Sequence, residues 1–171
     1  NEFVWVPVSN ISDIYDEANN AGQLWHFGTT TTKWPYPTTK NSGPREPDVV
    51  TSASRGSDST SGTKYDAVST NLQQAGLSST ATASTFKTQL QNEFKEMIKS
   101  VKTYGGFYIG RYETGNLSNS TKAVVQKNNS DINNQTWYTM YKMCKTIKAN
   151  ENVYTGMIWG CQWDATLRWM Q

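Results

Sequence analysis

Residues 84–113 read STFKTQLQNEFKEMIKSVKTYGGFYIGRYE, and within this stretch the pattern of apolar residues changes from helical to extended. Phe86, Leu90, Phe94, Met97, Ile98 and Val101 follow one another at spacings of 4, 4, 3, 1 and 3. Those steps hold all six on one stripe of a helix of about five turns. Ser84 is read as the N-cap, where a hydroxyl oxygen accepts from an orphan N–H of the first turn. Gly105 supplies the stop, because glycine reaches left-handed backbone without a Cβ penalty. Lys95, Glu96, Lys99 and Lys102 fall on the wet face, which reads as solvated surface rather than a nucleic-acid or membrane contact. Directly after the glycine pair, residues 107–113 are β-branched and aromatic and read as a strand. The expectation is an α+β chain, with the Phe86/Leu90/Phe94/Ile98 face packed on the sheet that contains Tyr108.

Working outward, residues 3–8 (FVWVPV) read as a short strand, at a sheet edge because Pro7 withholds a donor. Residues 12–21 predict a short helix capped by Ser12. Trp137, Met140, Tyr141, Cys144 and Ile147 lie at spacings of 3, 1, 3 and 3, one face of a second helix starting near Thr136. Trp159, Trp163, Leu167 and Met170 lie at 4, 4 and 3 and predict a third, short one. Residues 114–135 read as polar loop with one strand at 123–126. Residues 28–63 carry four successive Thr, four Pro, and eight Ser or Thr among residues 51–63. They read as an irregular insertion, within a loop-rich region at about 22–83. So long a loop is either functional or held by its aromatics, Trp25, Phe27, Trp34 and Tyr36.

The length of 171 residues fits one domain. Aromatic residues reach 12%, which excludes a fully disordered chain. Charged residues are only 18% and the net charge is +2, which argues against a nucleic-acid partner that needs a concentrated basic face. No apolar run spans a bilayer and no secretory signal is read, so membrane association would come only through a segment not in this chain. A Thr- and Asn-rich, aromatic, charge-poor surface suits an extracellular or cell-surface protein.

Little catalytic chemistry is legible. His26 is the lone histidine, set between two aromatics, and reads as a surface or half-buried residue rather than a base. No phosphate-binding, dinucleotide or nucleophile-elbow motif occurs, and no cofactor is expected. Asp13, Asp16 and Glu17 lack the alternation of a calcium loop and read as acids at a helix N-terminus. Asn10, Asn116, Asn119, Asn128 and Asn134 begin glycosylation sequons, which a chain of this composition yields by chance. Cys144 and Cys161 either form a single bridge or are small buried apolar groups, and with one His they cannot assemble a zinc site. The candidate ligand-binding residues are Trp34 and Tyr36, flanked by Pro35 and Pro37, with Arg45 as a planar donor. Such rings either stack on a sugar or apolar side chain, or only pin the insertion to the domain.

Three segments resemble one family, in order. Residues 3–7 (FVWVP) are similar to the opening strand of the formylglycine-generating enzyme (sulfatase-modifying factor) superfamily. Residues 106–113 (GFYIGRYE) resemble a strand of that family. Thr136, Trp137 and Tyr138, with Cys144 following, look like its helix that begins serine-tryptophan-tyrosine, and Trp163-Asp164 is similar to a tryptophan-glutamate pair on a later helix. The resemblance covers residues 3–8 and about 104–170, and implies a C-type-lectin-like fold with helices on a small, mostly antiparallel sheet. It implies structural core roles for Trp137, Tyr141, Cys144 and Trp163. The family's catalytic cysteine pair and calcium ligands lie beyond the part that this chain resembles, so nothing catalytic carries over. The function expected is a non-catalytic ligand-binding or adhesion module on a bacterial or phage surface, with a glycan or protein ligand. The alternatives are a pilin-like filament subunit, with homo-oligomerisation, and a fragment of a formylglycine-generating oxidase.

Overall fold

A computed structural model describes residues 1–26, 39–42, 48–50, 57–58, 62–116, 122–147 and 152–170. The chain is mixed α+β, with four helices and several small sheets among these residues. The first strand, β1 (Phe3–Pro7), is followed by a 3-10 turn (Ile11–Asp13), β2 (Tyr15–Asp16) and β3 (Ala21–His26). Then come β4 (Thr39–Ser42), β5 (Asp48–Val50), β6 (Ser57–Asp58), β7 (Gly62–Asp66) and the short helix α1 (Ser69–Gln74). The long helix α2 spans Ala83–Tyr104. After it lie β8 (Gly106–Gly110), β9 (Gly115–Asn116), β10 (Ala123–Val124), β11 (Ser130–Asp131), α3 (Trp137–Cys144) and α4 (Gly160–Trp169).

Helix α2 organises the core. Its cap is Thr82 rather than Ser84: the Thr82 hydroxyl accepts from the Thr85 N–H at 3.2 Å. Gly105 closes it at φ 73°, the left-handed conformation that glycine adopts without strain. Phe86, Leu90, Phe94, Ile98 and Val101 are all buried. The first half of the stripe meets Ala67, Leu72 and Ala75 around α1 and Tyr138 and Tyr141 of α3. The second half meets Val8, Ile14, Cys161 and Ala165. Fully burying side chains such as Phe86 and Leu90 contributes about 1.5–3 kcal/mol each.

β1 and β8 form an antiparallel ribbon in the register Phe3↔Gly110 to Pro7↔Gly106. Phe107 packs on the α2 core, whereas Tyr108, one residue on, is 68% exposed. The helix therefore meets this sheet through Phe107. Tyr108 stacks edge-on against Trp5 on the outer face, with ring centroids 5.0 Å apart. A Cβ on Gly106 would come within 2.5 Å of the Trp5 ring and 2.4 Å of the Val6 carbonyl oxygen, so the ribbon closes only over glycine there.

Several elements differ from the sequence reading. Residues 12–21 form no α-helix. The Asp16 carboxylate accepts from the Ala18 and Asn19 N–H groups at 3.1 and 3.2 Å, and Asn20 sits at φ 49°. This side-chain-to-backbone bonding replaces the helical ladder with a turn between β2 and β3. The region read as an irregular insertion contains β4 to β7, and β4 pairs with β3 over four residues. Residues 27–38, 43–47, 51–56 and 59–61 lie outside the described set. Residues 107–113 are strand only to Gly110. The expected apolar stripe of α4 splits: Trp159 packs on the core against Phe94, whereas Trp163 is 47% and Met170 61% exposed, and the buried face of the helix is Cys161, Gln162, Ala165 and Thr166.

Candidate binding site

The strands β3 and β4 are joined by residues 27–38, which contain Trp34 and Tyr36. Those two rings and Arg45 lie outside the described residues. The base from which their segment springs is described.

At that base Trp25 gathers partners from three other parts of the chain. Lys40 stands opposite it in the β3–β4 register and brings its ammonium to 5.0 Å from the ring centroid. The Arg168 guanidinium, near the end of α4, lies 3.5 Å from the Trp25 ring centroid, a stacked cation–π contact. Asp13, from the 3-10 turn, binds both cations: its Oδ1 is 2.8 Å from Lys40 Nζ and 3.3 Å from Arg168 Nη1. The indole N–H donates to the Asp13 carbonyl oxygen at 3.0 Å. The Trp25 backbone N–H donates to Asp164 Oδ2 at 2.9 Å. Burial raises the Asp164 carboxyl above its ordinary range, and the Trp25 N–H partly offsets that.

Asp13, Lys40 and Arg168 each keep about a third of their side chains exposed (29%, 38% and 33%). Asp13 thus pairs both cations, while Asp164 is held by the Trp25 N–H. α4 lies close on β3: a Cβ on Gly22 would stand 3.2 Å from Cys161 Cβ. The sequence reading named Trp25 as an aromatic available to hold the segment, but missed Asp13, Asp164 and Arg168 as its partners. Asp164 lies 139 residues from Trp25, and no periodicity links them.

The residues expected to be structural divide. Trp137 is half-buried and stacks on Tyr141, centroids 5.1 Å apart at 18°. Its helix begins as read, with the Thr136 hydroxyl accepting from the Thr139 N–H at 3.3 Å. Cys144 is half-buried and Cys161 buried, and both are free thiols. Burial raises both; Cys161 is pushed up to about 12, which leaves little thiolate for chemistry. Trp163 is a surface residue, not core, because α4 turns its small side chains toward β3.

A second polar cluster ties α3 to α2. The Tyr141 hydroxyl donates to Glu93 Oε1 at 2.7 Å. It accepts from Gln89 Nε2 at 2.8 Å and from Lys145 Nζ at 2.7 Å. Lys145 also pairs with Glu93. Burial, reinforced by the hydrogen bond to Glu93, raises the Tyr141 phenol well above its ordinary value. A phenol so held stays protonated and acts as a hydrogen-bond hub between helices rather than as a base. Among the described residues, no three His, Cys, Asp or Glu side chains group as metal ligands do, and no helix is long and apolar enough to cross a membrane. Compared with protein-family models, curated proteins and solved structures, the chain matches none.

Proposed function

We propose that this chain is a non-catalytic ligand-binding or adhesion module, displayed on a bacterial or phage surface, with the C-type-lectin-like variant fold of the formylglycine-generating enzyme superfamily. Support for the fold comes from the two motifs, FVWVP and GFYIGRYE, of which residues 3–7 and 106–110 pair with each other. The observation that carries the function is the Trp25 platform. It locks the β3–β4 pair to α4 through one stack, two ion pairs and two hydrogen bonds. A segment bearing two proline-flanked aromatic rings springs from that base. Recognition loops work best on such rigid supports, and the rings suit stacking on a sugar or an apolar side chain. A glycan and protein array tests the reading with the parent chain, Trp34→Ala and Tyr36→Ala. Binding that vanishes in both variants at unchanged melting temperature supports it. A large fall in melting temperature with no ligand detected for the parent chain leaves the rings as anchors alone.

A second reading, a subunit of a pilin-like filament, is favoured by the outer side of α4, where Trp163 and Met170, seven residues apart and so on one face, are 47% and 61% exposed; exposed apolar side chains on one face mark interaction surfaces. Sedimentation equilibrium tests it. Self-association that disappears in Trp163→Ser/Met170→Ser supports the filament reading, and a monomer at all concentrations opposes it.

A further inference from the structure

Apart from the Trp25 platform, a cleft of about 280 Å³ opens between β2 and the second half of α2. Its lining is Tyr15, Phe94, Lys95, Ile98, Lys99, Lys102 and Thr103. The lysines recur at steps of four and three, which puts them along one side of the helix. Every ionisable side chain in the lining besides the Tyr15 phenol is a lysine. The floor is aromatic and apolar: Tyr15 leans on Phe94 with ring centroids 6.2 Å apart, and Lys102 Nζ stands 5.8 Å from the Tyr15 ring centroid.

We propose that this cleft binds an acidic saccharide, a uronic acid unit whose ring lies against Tyr15 while its carboxylate meets Lys99 and Lys102. Three lysines line the cleft against the two glutamates that pair with Lys99 and Lys102, an excess that favours an anion. The counter-charges of Lys99 and Lys102 are exchangeable. Lys99 faces Glu96 at 3.7 Å with both side chains more than 70% exposed, and Lys102 pairs with Glu17, which is 63% exposed. Exposed pairs of this kind contribute little to stability, so a ligand carboxylate replaces them at small cost. The volume lies just below the range of drug-sized pockets, roughly 300–1,000 Å³, and suits one or two sugar rings. A nucleic acid needs a wider basic face, whereas here Glu17 and Glu96 flank the lysines. A lipid surface needs apolar side chains that insert, and Phe94 and Ile98 are only 5% and 6% exposed.

The test uses digalacturonate, followed by amide shifts of the 15N-labelled chain. The expected result is saturable shifts at Tyr15, Lys99 and Lys102. Affinity should fall about tenfold or more in Lys95→Gln/Lys99→Gln/Lys102→Gln, and likewise for the methyl-esterified sugar, with the melting temperature held. Tyr15→Leu should weaken binding while keeping the lysines. Trp34→Ala should leave it unchanged, which separates this cleft from the β3–β4 site. No shifts at the cleft, or undiminished affinity in the triple lysine variant, overturns the proposal. Tighter cleft-dependent binding of phosphatidylglycerol vesicles or of a short oligonucleotide also overturns it.

Discussion

Helices α2 and α4 carry apolar stripes of similar spacing, yet the first is buried almost throughout and the second only at Trp159. On α2 every member from Phe86 to Val101 except Met97 is at most 6% exposed. On α4 the stripe members Trp163 and Met170 are 47% and 61% exposed. The difference lies in what each helix approaches. α2 is met by side chains from α1, α3, α4 and the residues around β1 and β2, which leave room for large rings. α4 comes down on β3 at Gly22, where an added Cβ would stand 3.2 Å from Cys161 Cβ. Only small side chains fit such an approach. A stripe of large apolar residues therefore does not by itself fix the docked face: α4 docks through Cys161 and Ala165, with Gln162 and Thr166 buried beside them.

The contrast is broken most severely on α2. Phe94→Ala removes a ring that touches Tyr15 and Trp159 and should cost about 3–5 kcal/mol. An unchanged urea midpoint would remove α2 from the core. Gly22→Leu probes the other helix by forcing a side chain against Cys161, and the overpacking should cost about 1–3 kcal/mol. Equal stability by denaturant titration would mean that α4 stands off from β3.

Glu93→Gln sharpens the comparison, because it tests a polar tie confined to the α2–α3 side. Lys145 and Glu93 are 24% and 16% exposed, so the loss should fall near 1–2 kcal/mol, below that of a fully buried pair. The same cluster sets an alkaline limit. The Tyr141 phenol holds its proton more tightly when folded, so above its unfolded value of about 10 the unfolded chain releases a proton that the folded chain keeps. Stability from this group is complete below pH of about 10 and falls as the pH rises past it. Urea midpoints at successive alkaline pH values should decline less steeply in Tyr141→Phe. Equal slopes would show that the phenol titrates freely.

The smallest effect belongs to the exposed stripe. Trp163→Ala should change stability by no more than about 0.5 kcal/mol in the monomer. A core-sized loss by thermal denaturation would restore Trp163 to the interior.

The long helix, its glycine stop, the two motif strands and the start of α3 were all readable from residues 84–113, 3–8 and 136 onward, because each carries a strong local signal. The β2–β3 turn was not, since Asp16 and Asn20 sit within a helix-compatible composition and only their side-chain bonding diverts the chain. β4, with Thr39, Lys40, Asn41 and Ser42, has no apolar alternation and is a strand because β3 supplies its hydrogen bonds. The Trp25 platform joins charged residues from turn, strand and helix, and nothing in the spacing of Asp13, Lys40 and Arg168 announces that they share one ring.

The β1–β8 ribbon has a consequence for the order of events during synthesis. Phe3 pairs with Gly110, and the Glu2 N–H donates to the Val125 carbonyl oxygen at 2.7 Å. At roughly 5–20 residues per second, β1 waits about 5–20 s after it is made for its partner to follow. Throughout that interval the nascent chain displays a lone aliphatic and aromatic strand that could pair with its neighbours. Glu2 at its start and Pro7 at its end, a charge and a missing donor, are the features that discourage such pairing. They guard the strand while the chain is still incomplete, a role separate from anything they contribute once the ribbon has closed.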